Sequence, residues 1–455
     1  MKVTESLCRT IVQTSFASLP SQVVEVAKRI ILDGIAVAVA GSTEDGPRIV
    51  AEHVKSLGGT ESSTVLGQRF KTSPVSAAYV NGIAMHVLDY EPMWSPPTHA
   101  TSPTLPTILA LAEVENVPGH EVIAAFVKAC EMQGRLRLAS QQYTPGKLIY
   151  HPPGVVGVMG SVVAASHLLG LSLPQLQNAL GIAASRAGGL MANVGTMTKA
   201  THCGWAAAAG LDAALLARRG FTGNTEIFEA PNGYADAFFG EGFDFSALMA
   251  FGHPYRLVDP GFAIKLFPSQ YATHFGITAA LELHEVIDEP KAIKSVQITM
   301  PVMPYVDRPL PRTGLEGKFS FQYTVAAALL DGAVTVRTFS DERRFRQDLV
   351  ALLPIIVLTQ SAEIPGELEK MWVEVTVELH GGRQIIARCR GPKGFWGLPP
   401  LAREEHLVKI RDCLNMRLAQ NQTERCIALV EDLDSLEPEG VRELVAIVGC
   451  EMSNE

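Results

Sequence analysis

The stretch "GVVGVMGSVVAASHLLG" (residues 154–170) decides the fold class of this chain. It is apolar on more than one face and rich in small residues, so neighbouring helices can pack closely against it. A helix with such a surface lies in the middle of a large helical domain or beneath a second subunit, because a surface helix keeps one polar face. The stretch therefore predicts a buried helix in a mainly α-helical protein.

Helical patterns continue on both sides of this stretch, as far as about residue 262. A helical pattern over residues 21–41 starts at Ser21, a residue type favoured at the N-cap, and stops at Gly41, a type favoured after the last turn. Ser172 is a similar candidate cap for the helix that follows it. Further helical patterns cover residues 73–90, 104–115, 120–139 and 204–220.

The sequence pattern changes near residue 262, where strand-like alternation begins to appear beside helical patterns. Residues 295–300 ("SVQITM") alternate in polarity as a strand does, and residues 372–390 alternate on both sides of "HGGR", which is typical of a β-hairpin. Residues 319–332 between them show a helical pattern, and helical patterns return near the C-terminus. We predict a mainly α protein with a large helical domain, residues 1–262 and 398–455, and an inserted smaller α+β lid domain, residues 263–397.

Composition excludes several classes of protein. Hydrophobic residues make up 47% and charged residues 19% of the 455 residues, which excludes a disordered chain. The net charge of −9 argues against nucleic acid as a partner, because no global basic field would hold phosphates. No apolar run reaches the ~18 residues of a membrane span, so we expect no membrane partner.

The N-terminus and the cysteines bear on location. Residues 1–20 lack the basic head, apolar block and small-residue cleavage site of a secretory signal. The 7 cysteines are irregularly spaced and include no CxxC pair, which argues against a disulfide framework and an iron–sulfur cluster. We expect a cytoplasmic protein, since a mitochondrial presequence would carry more arginine and avoid acids.

Titratable side chains stand out in apolar or proline-rich stretches. Residues 86–100 ("HVLDYEPMWSPPTHA") carry Asp89, Glu91 and His99, and an acid beside an imidazole can orient it and raise its basicity. His151 precedes two prolines, so its backbone is not helical and it lies at a helix N-terminus. That position suits proton transfer or contact with an anion.

Lysines and a tyrosine mark the remaining stretches. Lys199 and His202, in "GTMTKATHCGW" (residues 195–205), share a helix face if the helix begins nearby. A buried lysine needs an anion, and we expect a ligand carboxylate to supply it. Lys265 lies at the predicted domain junction, where clefts usually form, and Tyr305 lies in a loop after a strand. Taken singly, each also fits a structural role; together they suit a substrate with several carboxylates.

Common catalytic signatures are missing from the sequence. There is no HExxH metal spacing, no GxGxxG turn after a strand, no P-loop and no GxSxG elbow. Because none of these motifs occurs, we predict no metal site.

At these stretches, and over nearly its full length, the sequence resembles the MmgE/PrpD family. That family includes 2-methylcitrate dehydratases, cis-aconitate decarboxylases and iminodisuccinate epimerases. Several segments, such as "YHPPGVVG" and "MANVGTMTK", look closest to the decarboxylases. The resemblance is carried by the ordered segments "AAYVNGIAMHVLDY", "PTHATSPTLPTILALAE", "YHPPGVVGVMGSVVAASHLLGL", "ALGIAASRAGGLMANVGTMTK", "FPSQYATH", "YVDRPLP" and "FSFQYTVAAALLDGAVTV".

The resemblance implies a fold, an assembly and a site. It implies a large helical domain with a smaller α+β lid inserted before the last helices. It also implies a homodimer without a cofactor and a pocket between the two domains. Carried over by motif, the catalytic residues are Asp89, His99, His151 and Tyr305, and the substrate-binding residues are Lys199, Lys265, His202, Gln270 and Met93.

This sequence departs from the decarboxylase pattern at three places. Met93 stands where a threonine is expected, Gln270 stands where a histidine is expected, and Glu91-Pro92 replaces a pair of aspartates. A site built to hydrogen-bond a polar group discriminates strongly between substrates, so these changes can retune substrate choice.

The resemblance and the residues together predict a cofactor-free lyase that acts on a citrate- or aconitate-like polycarboxylate. Formation of itaconate from cis-aconitate is the leading hypothesis. Lys199 and Lys265 would hold carboxylates, and His151 or His99 would move a proton at the adjacent carbon. Asp89 would fix a histidine tautomer. A 2-methylcitrate dehydratase-like hydro-lyase, an iminodisuccinate-type epimerase and an inactive carboxylate-binding dimer stay open, because the three reactions share this proton transfer.

Overall fold

The computed structural model describes residues 2–143 and 148–450, and the part before residue 262 is helical, as predicted. A short hairpin of β1 (Ser63–Val65) and β2 (Phe70–Thr72) interrupts it. The helices of this part are α1 (Val3–Gln13), α2 (Ser21–Gly41), α3 (Asp45–Leu57), α4 (Pro74–Val87), α5 (Leu105–Val114), α6 (Gly119–Ala139), α7 (Pro152–Leu168), α8 (Leu173–Ala184), α9 (Thr198–Arg218), α10 (Tyr234–Phe239) and α11 (Phe245–Met249).

The helix ends follow local sequence chemistry. Ser172 forms a capping box with Gln175, whose side-chain oxygen accepts a hydrogen bond from the Ser172 backbone N–H at 3.0 Å. The cap expected at Ser21 is one residue off, because Pro20 is the N-cap and Ser21 is the first helical residue of α2.

Helix α7 lies in the middle of the helical part, where α9 packs between α7 and α4. Glycines make these crossings possible. A Cβ atom added at Gly82 would lie 2.7 Å from the Cα of Gly204, and one added at Gly210 would lie 2.5 Å from the Cβ of Ser161. No side chain fits at these distances, so the small residues of these helices are a direct requirement of the packing.

An α+β segment follows the helical part, as expected, and its apolar side chains form a separate buried core together with Met93. A four-stranded sheet has the order β4-β3-β5-β6; β3 and β4 run parallel and the other pairs antiparallel. Strand β4, at one edge of the sheet, was not predicted from the sequence. The elements are α12 (Thr273–His284), β3 (Ile293–Pro301), α13 (Gly314–Gly317), α14 (Phe321–Asp331), α15 (Asp341–Arg344), α16 (Gln347–Leu352), β4 (Ile356–Ser361), β5 (Val373–Leu379) and β6 (Gln384–Cys389).

The chain then returns to the helical part with α17 (Arg403–Leu414), α18 (Gln420–Glu431) and α19 (Pro438–Val448). Helices α17 and α18 pack on α2 and share one apolar core with it. The boundaries proposed at residues 262 and 397 stay a prediction. Within residues 2–143 and 148–450, no helix combines the length and the hydropathy needed to cross a bilayer.

The crossing of α4 and α9 gives a stability prediction. A Cβ atom at Gly204 would lie 2.3 Å from the backbone oxygen of Tyr79, so Gly204→Ala must push the two helices apart. We expect it to lower the free energy of unfolding by about 1–3 kcal/mol in urea denaturation. Gly366→Ala is the control, because nothing lies within 4 Å of its Cβ position. Equal stability of both variants would contradict the packing argument.

Candidate active site

A pocket of about 550 Å³, counted with its open mouth, lies between the helical part and the α+β segment. Helices α7 and α9 both begin beside it, so their partly positive N-terminal ends face the cavity. Two of the predicted site residues, His202 and Lys265, lie behind the wall, in contact with lining residues. The other seven line it: Asp89, Met93, His99, His151, Lys199, Gln270 and Tyr305.

Asp89 is the centre of the charged groups at this pocket. It follows the end of α4 with a φ of 50°, a left-handed conformation that aspartate tolerates better than most residues. Its Oδ2 lies 2.6 Å from Lys199 Nζ, and its Oδ1 accepts a hydrogen bond from Lys265 Nζ. Burial alone would raise the pKa of Asp89, but the two ammonium groups hold that pKa well below its usual value. Asp89 is therefore an ionised, buried carboxylate.

The two lysines use their donors differently. Lys199, in the first turn of α9, donates to Asp89 and to His86 Nε2 at 2.9 Å, which leaves one of three N–H groups for the pocket. Lys265 is fully buried and donates to the Asp89 carboxylate, the Asp89 backbone oxygen (2.7 Å) and the Ser269 backbone oxygen (3.0 Å). The anion expected from a ligand at Lys199 is thus already present as Asp89. Lys265 has no donor left for a ligand.

His86 and Glu91 join this group. His86 was not among the expected site residues, and Glu91 was expected only as an acid near His99. Because Lys199 donates to Nε2 of His86, the His86 proton is on Nδ1, which is hydrogen-bonded to the Glu91 carboxylate. Glu91 Oε1 also accepts from Ser102 Oγ at 2.9 Å. Burial lowers the pKa of His86 to about 4 despite the Glu91 contact. The available signal was the spacing of His86 and Asp89 at one helix end.

The two histidines that line the pocket have opposite surroundings. His99 lies between two carboxylates, with Nε2 at 3.6 Å from Asp89 Oδ1 and Nδ1 at 3.3 Å from Glu91 Oε1. His151 is the N-cap of α7, as predicted, and its Nδ1 lies 3.3 Å from Nδ1 of His202. Burial and the nearby Lys199 charge hold the pKa of His151 well below its usual value. His99 therefore has two carboxylates beside it, whereas His151 has a lysine nearby and stays neutral.

Gln270 and Tyr305 form a hydrogen-bonded pair with a defined direction. The side-chain oxygen of Gln270 accepts from the Ala272 backbone N–H at 2.7 Å, so its amide nitrogen faces Tyr305 and donates to the hydroxyl oxygen at 2.9 Å. Burial raises the pKa of Tyr305, so the hydroxyl keeps its proton. Since the oxygen already accepts from Gln270, the Tyr305 O–H is free to donate into the pocket.

Met93 connects the loop between α4 and α5, residues 88–104, to the α+β segment. Its backbone N–H and C=O pair with Ala263 at 3.1 and 2.7 Å, and its side chain is buried in the core of that segment. The side chain also forms part of an apolar pocket wall, together with Met191 and Phe319. This wall offers no hydrogen bond where Met93 replaces the expected threonine.

One set of side chains could bind a metal among the described residues. Ligand atoms of His86, Glu91 and His99 lie within 4.8 Å of one another. A cation there would have to replace the hydrogen bond between His86 and Glu91 and would lie near the ammonium of Lys199. We therefore assign no metal to these residues.

Replacing Lys265 by an uncharged residue should leave the buried Asp89 carboxylate with only one of its two lysine partners. We expect Lys265→Met to lower the free energy of unfolding by about 3–5 kcal/mol, measured by chemical denaturation at neutral pH. The double variant Lys265→Met/Asp89→Asn should recover part of this loss, because the buried charge is gone. Lys370→Met is the control at an exposed lysine (67% exposed) and should change stability little. A double variant no more stable than Lys265→Met would contradict the charge argument.

Histidine protonation gives a second prediction. The pKa values of His86 and His202 are lowered to about 4, by burial first and by Lys199 next in the case of His202. We expect the ring resonances of both to stay those of neutral imidazole from about pH 8 down to about pH 5 in NMR titrations. His86→Gln and His202→Gln assign the signals. A titration midpoint near the ordinary histidine value for either would contradict the described geometry.

Comparison with known proteins agrees with this architecture. Residues 5–246 match the MmgE/PrpD N-terminal domain, and residues 267–435 match the MmgE/PrpD C-terminal domain. The chain is 33% identical to a cis-aconitate decarboxylase of Mus musculus over 447 residues, 96% of this chain and 91% of that protein. It is 32% identical to the Homo sapiens cis-aconitate decarboxylase over 446 residues, 96% and 92% of the two chains.

A more distant relative extends over even more of the chain. The cis-aconitate decarboxylase-like protein oryM of Aspergillus oryzae is 27% identical over 483 aligned positions, which cover 99% of this chain and 98% of that protein. Both domain matches and the near-complete coverage of these relatives lead to one assignment. The chain belongs to the MmgE/PrpD family.

Proposed function

We propose that this protein is a carboxy-lyase that decarboxylates cis-aconitate or a closely similar acid, without a cofactor. The observation that carries the proposal is the placement of His99 between the Asp89 and Glu91 carboxylates, in the same pocket as Lys199. Relatives named cis-aconitate decarboxylase, aligned over 96% of the chain, support this reading over the dehydratase and epimerase alternatives.

The reaction needs a carboxylate anchor and a proton donor. The free N–H of Lys199 and the O–H of Tyr305 would hold substrate carboxylates. Loss of CO2 breaks a carbon–carbon bond, and its electron pair forms a new double bond to the central carbon. The original double bond then takes up one proton at its far carbon. His99, which has two carboxylates beside it, is the best-placed donor, and it takes its proton back from solvent after each turnover.

His151 plays a different part in this proposal. It is neutral and has no carboxylate beside it, so it would donate or accept a hydrogen bond rather than carry the transferred proton. His202, which lies behind the pocket wall, contacts the His151 ring and helps to position it. Lys265 acts through Asp89, because all three of its N–H groups are used within the protein. It is therefore a positioning residue in this proposal, although the sequence pattern suggested direct contact with substrate.

Heavy-water NMR tests the reaction. With cis-aconitate in heavy water, we expect release of CO2 and one solvent deuterium in each product molecule, at the carbon that receives the proton. Loss of water without CO2, or deuterium exchange without either loss, would contradict decarboxylation and favour the dehydratase or the epimerase. Binding without any turnover would favour an inactive carboxylate-binding protein.

His99→Gln tests the assignment of the donor. We expect it to lower kcat by about 10²–10⁴-fold with a smaller effect on KM, because it removes the proton and keeps a polar side chain. His53→Gln is the matched control, since His53 is exposed on α3. If His151→Gln abolishes turnover and His99→Gln does not, the roles of the two histidines must be exchanged.

A homodimer and a cytoplasmic location are further parts of the proposal. Ile149 (72% exposed) and Leu190 (51% exposed) present apolar side chains on adjacent backbone segments beside the pocket, which suits a subunit contact. All 7 cysteines are free and buried, which suits a reducing compartment. Light scattering of the purified chain tests the dimer.

A further inference from the structure

A second group of buried charges lies between α2 and α17, outside the pocket. Asp33 on α2 is fully buried, and Lys409 Nζ lies 2.9 and 2.8 Å from its two oxygens. His406 Nε2 lies 2.7 Å from Asp33 Oδ2. The proposed reaction uses none of these three residues, yet burying them together is costly unless the geometry is good.

This charge group contacts the loop between α4 and α5. Lys409 Nζ donates to the backbone oxygen of Tyr90 at 2.9 Å and lies 4.1 Å from the centre of the Tyr90 ring. Tyr90 separates Asp89 from Glu91 in the sequence. Any shift of Lys409 therefore acts on the peptide group between the two carboxylates that flank His99.

The other end of the charge group opens on a surface cleft of about 930 Å³, counted with its open mouth. Arg29 lines this cleft; its Nε donates to His406 Nδ1 at 3.3 Å and its Nη2 to the Leu401 backbone oxygen at 2.6 Å. Because Arg29 donates to Nδ1, the proton of neutral His406 is on Nε2 and faces Asp33. The hydrogen bonds thus form one continuous chain from the cleft to Tyr90.

Arg29 differs from the other cations of the cleft. Lys28 pairs with Glu25 at 2.8 Å, and Arg403 pairs with Glu431. Among residues 2–143 and 148–450, no carboxylate lies within ion-pair distance of Arg29, and its Nη1 has no hydrogen-bond partner. A guanidinium with free N–H groups on a half-buried wall is a strong site for a carboxylate.

The rest of the wall defines the ligand class further. Leu32, Leu407 and Val430 supply apolar surface beside Arg29. We propose that this cleft binds a small carboxylate with a short apolar chain, held by Arg29, and that binding is transmitted through His406, Asp33 and Lys409 to the Tyr90 carbonyl. The bound anion draws the guanidinium toward the cleft, which weakens the hydrogen bond from its Nε to His406. This site is separate from the pocket of the proposed reaction.

Selective labelling gives a direct readout that does not depend on turnover. Tyr90–Glu91 is the only Tyr-Glu pair in the sequence. Carbonyl-¹³C tyrosine and ¹⁵N glutamate therefore give a single correlated NMR signal, from the peptide group that Lys409 contacts. We expect butyrate, at constant ionic strength, to shift this signal saturably in the full-length protein, and hexanoate to act at lower concentration because of the apolar wall.

Variants of the cleft complete the test. Arg29→Gln should weaken the response by at least about tenfold, because it removes a charged hydrogen bond. Arg403→Gln, a cation of the same cleft that is already paired, should keep it. Val26→Glu changes a half-buried cleft residue and should suppress the response by repulsion, which provides a second test if Arg29→Gln does not fold.

Three results would overturn the proposal. The first is a signal that does not move with butyrate or hexanoate. The second is an equal shift in Arg29→Gln or Val26→Glu and in the unchanged protein, which would mean binding in the main pocket. The third is saturable binding by calorimetry that leaves the signal in place, because the anion would then occupy the cleft without reaching the loop.

Discussion

The ionised carboxylate of Asp89 is the constraint on which the site depends. A charge buried this deeply is stable only with opposite charges in contact, and here two lysines from distant parts of the chain supply them. Lys199 comes from the helical part and Lys265 from the junction with the α+β segment. The same contact therefore helps to hold the helical part and the α+β segment together. It also leaves one N–H of Lys199 directed at the pocket.

The packing of the helices makes this contact possible. Helices α4 and α9 approach at the Gly82–Gly204 contact, and the approach brings the start of α9 beside the residues that follow α4. Lys199 then reaches both Asp89 and His86. The glycines of the helical part thus have a chemical consequence, because bulkier residues at the crossing would separate the cation from the carboxylate.

Much of the fold was predictable because it depends on local patterns. Helix ends such as Ser172 follow capping chemistry, and the hairpin of β5 and β6 follows alternation and "HGGR". The edge strand β4 was missed, since a six-residue strand with mixed exposure has a weak pattern. At the site, the similarity of motifs predicted which residues line the pocket or contact its wall. It did not identify the pairing of His86 with Glu91, or Asp89 as the anion for Lys199, because these contacts join groups that no local pattern relates.

The return of the chain through α17 affects the order in which parts of the protein can fold during synthesis. Lys409, which supports the Tyr90 carbonyl, lies more than three hundred residues after it. A chain emerging from the ribosome can form the helical part and the α+β segment before this lysine is available. The loop that carries Asp89 and Glu91 receives its last support only when the C-terminal helices arrive, so a nascent or prematurely ended chain would contain the pocket residues without their final arrangement.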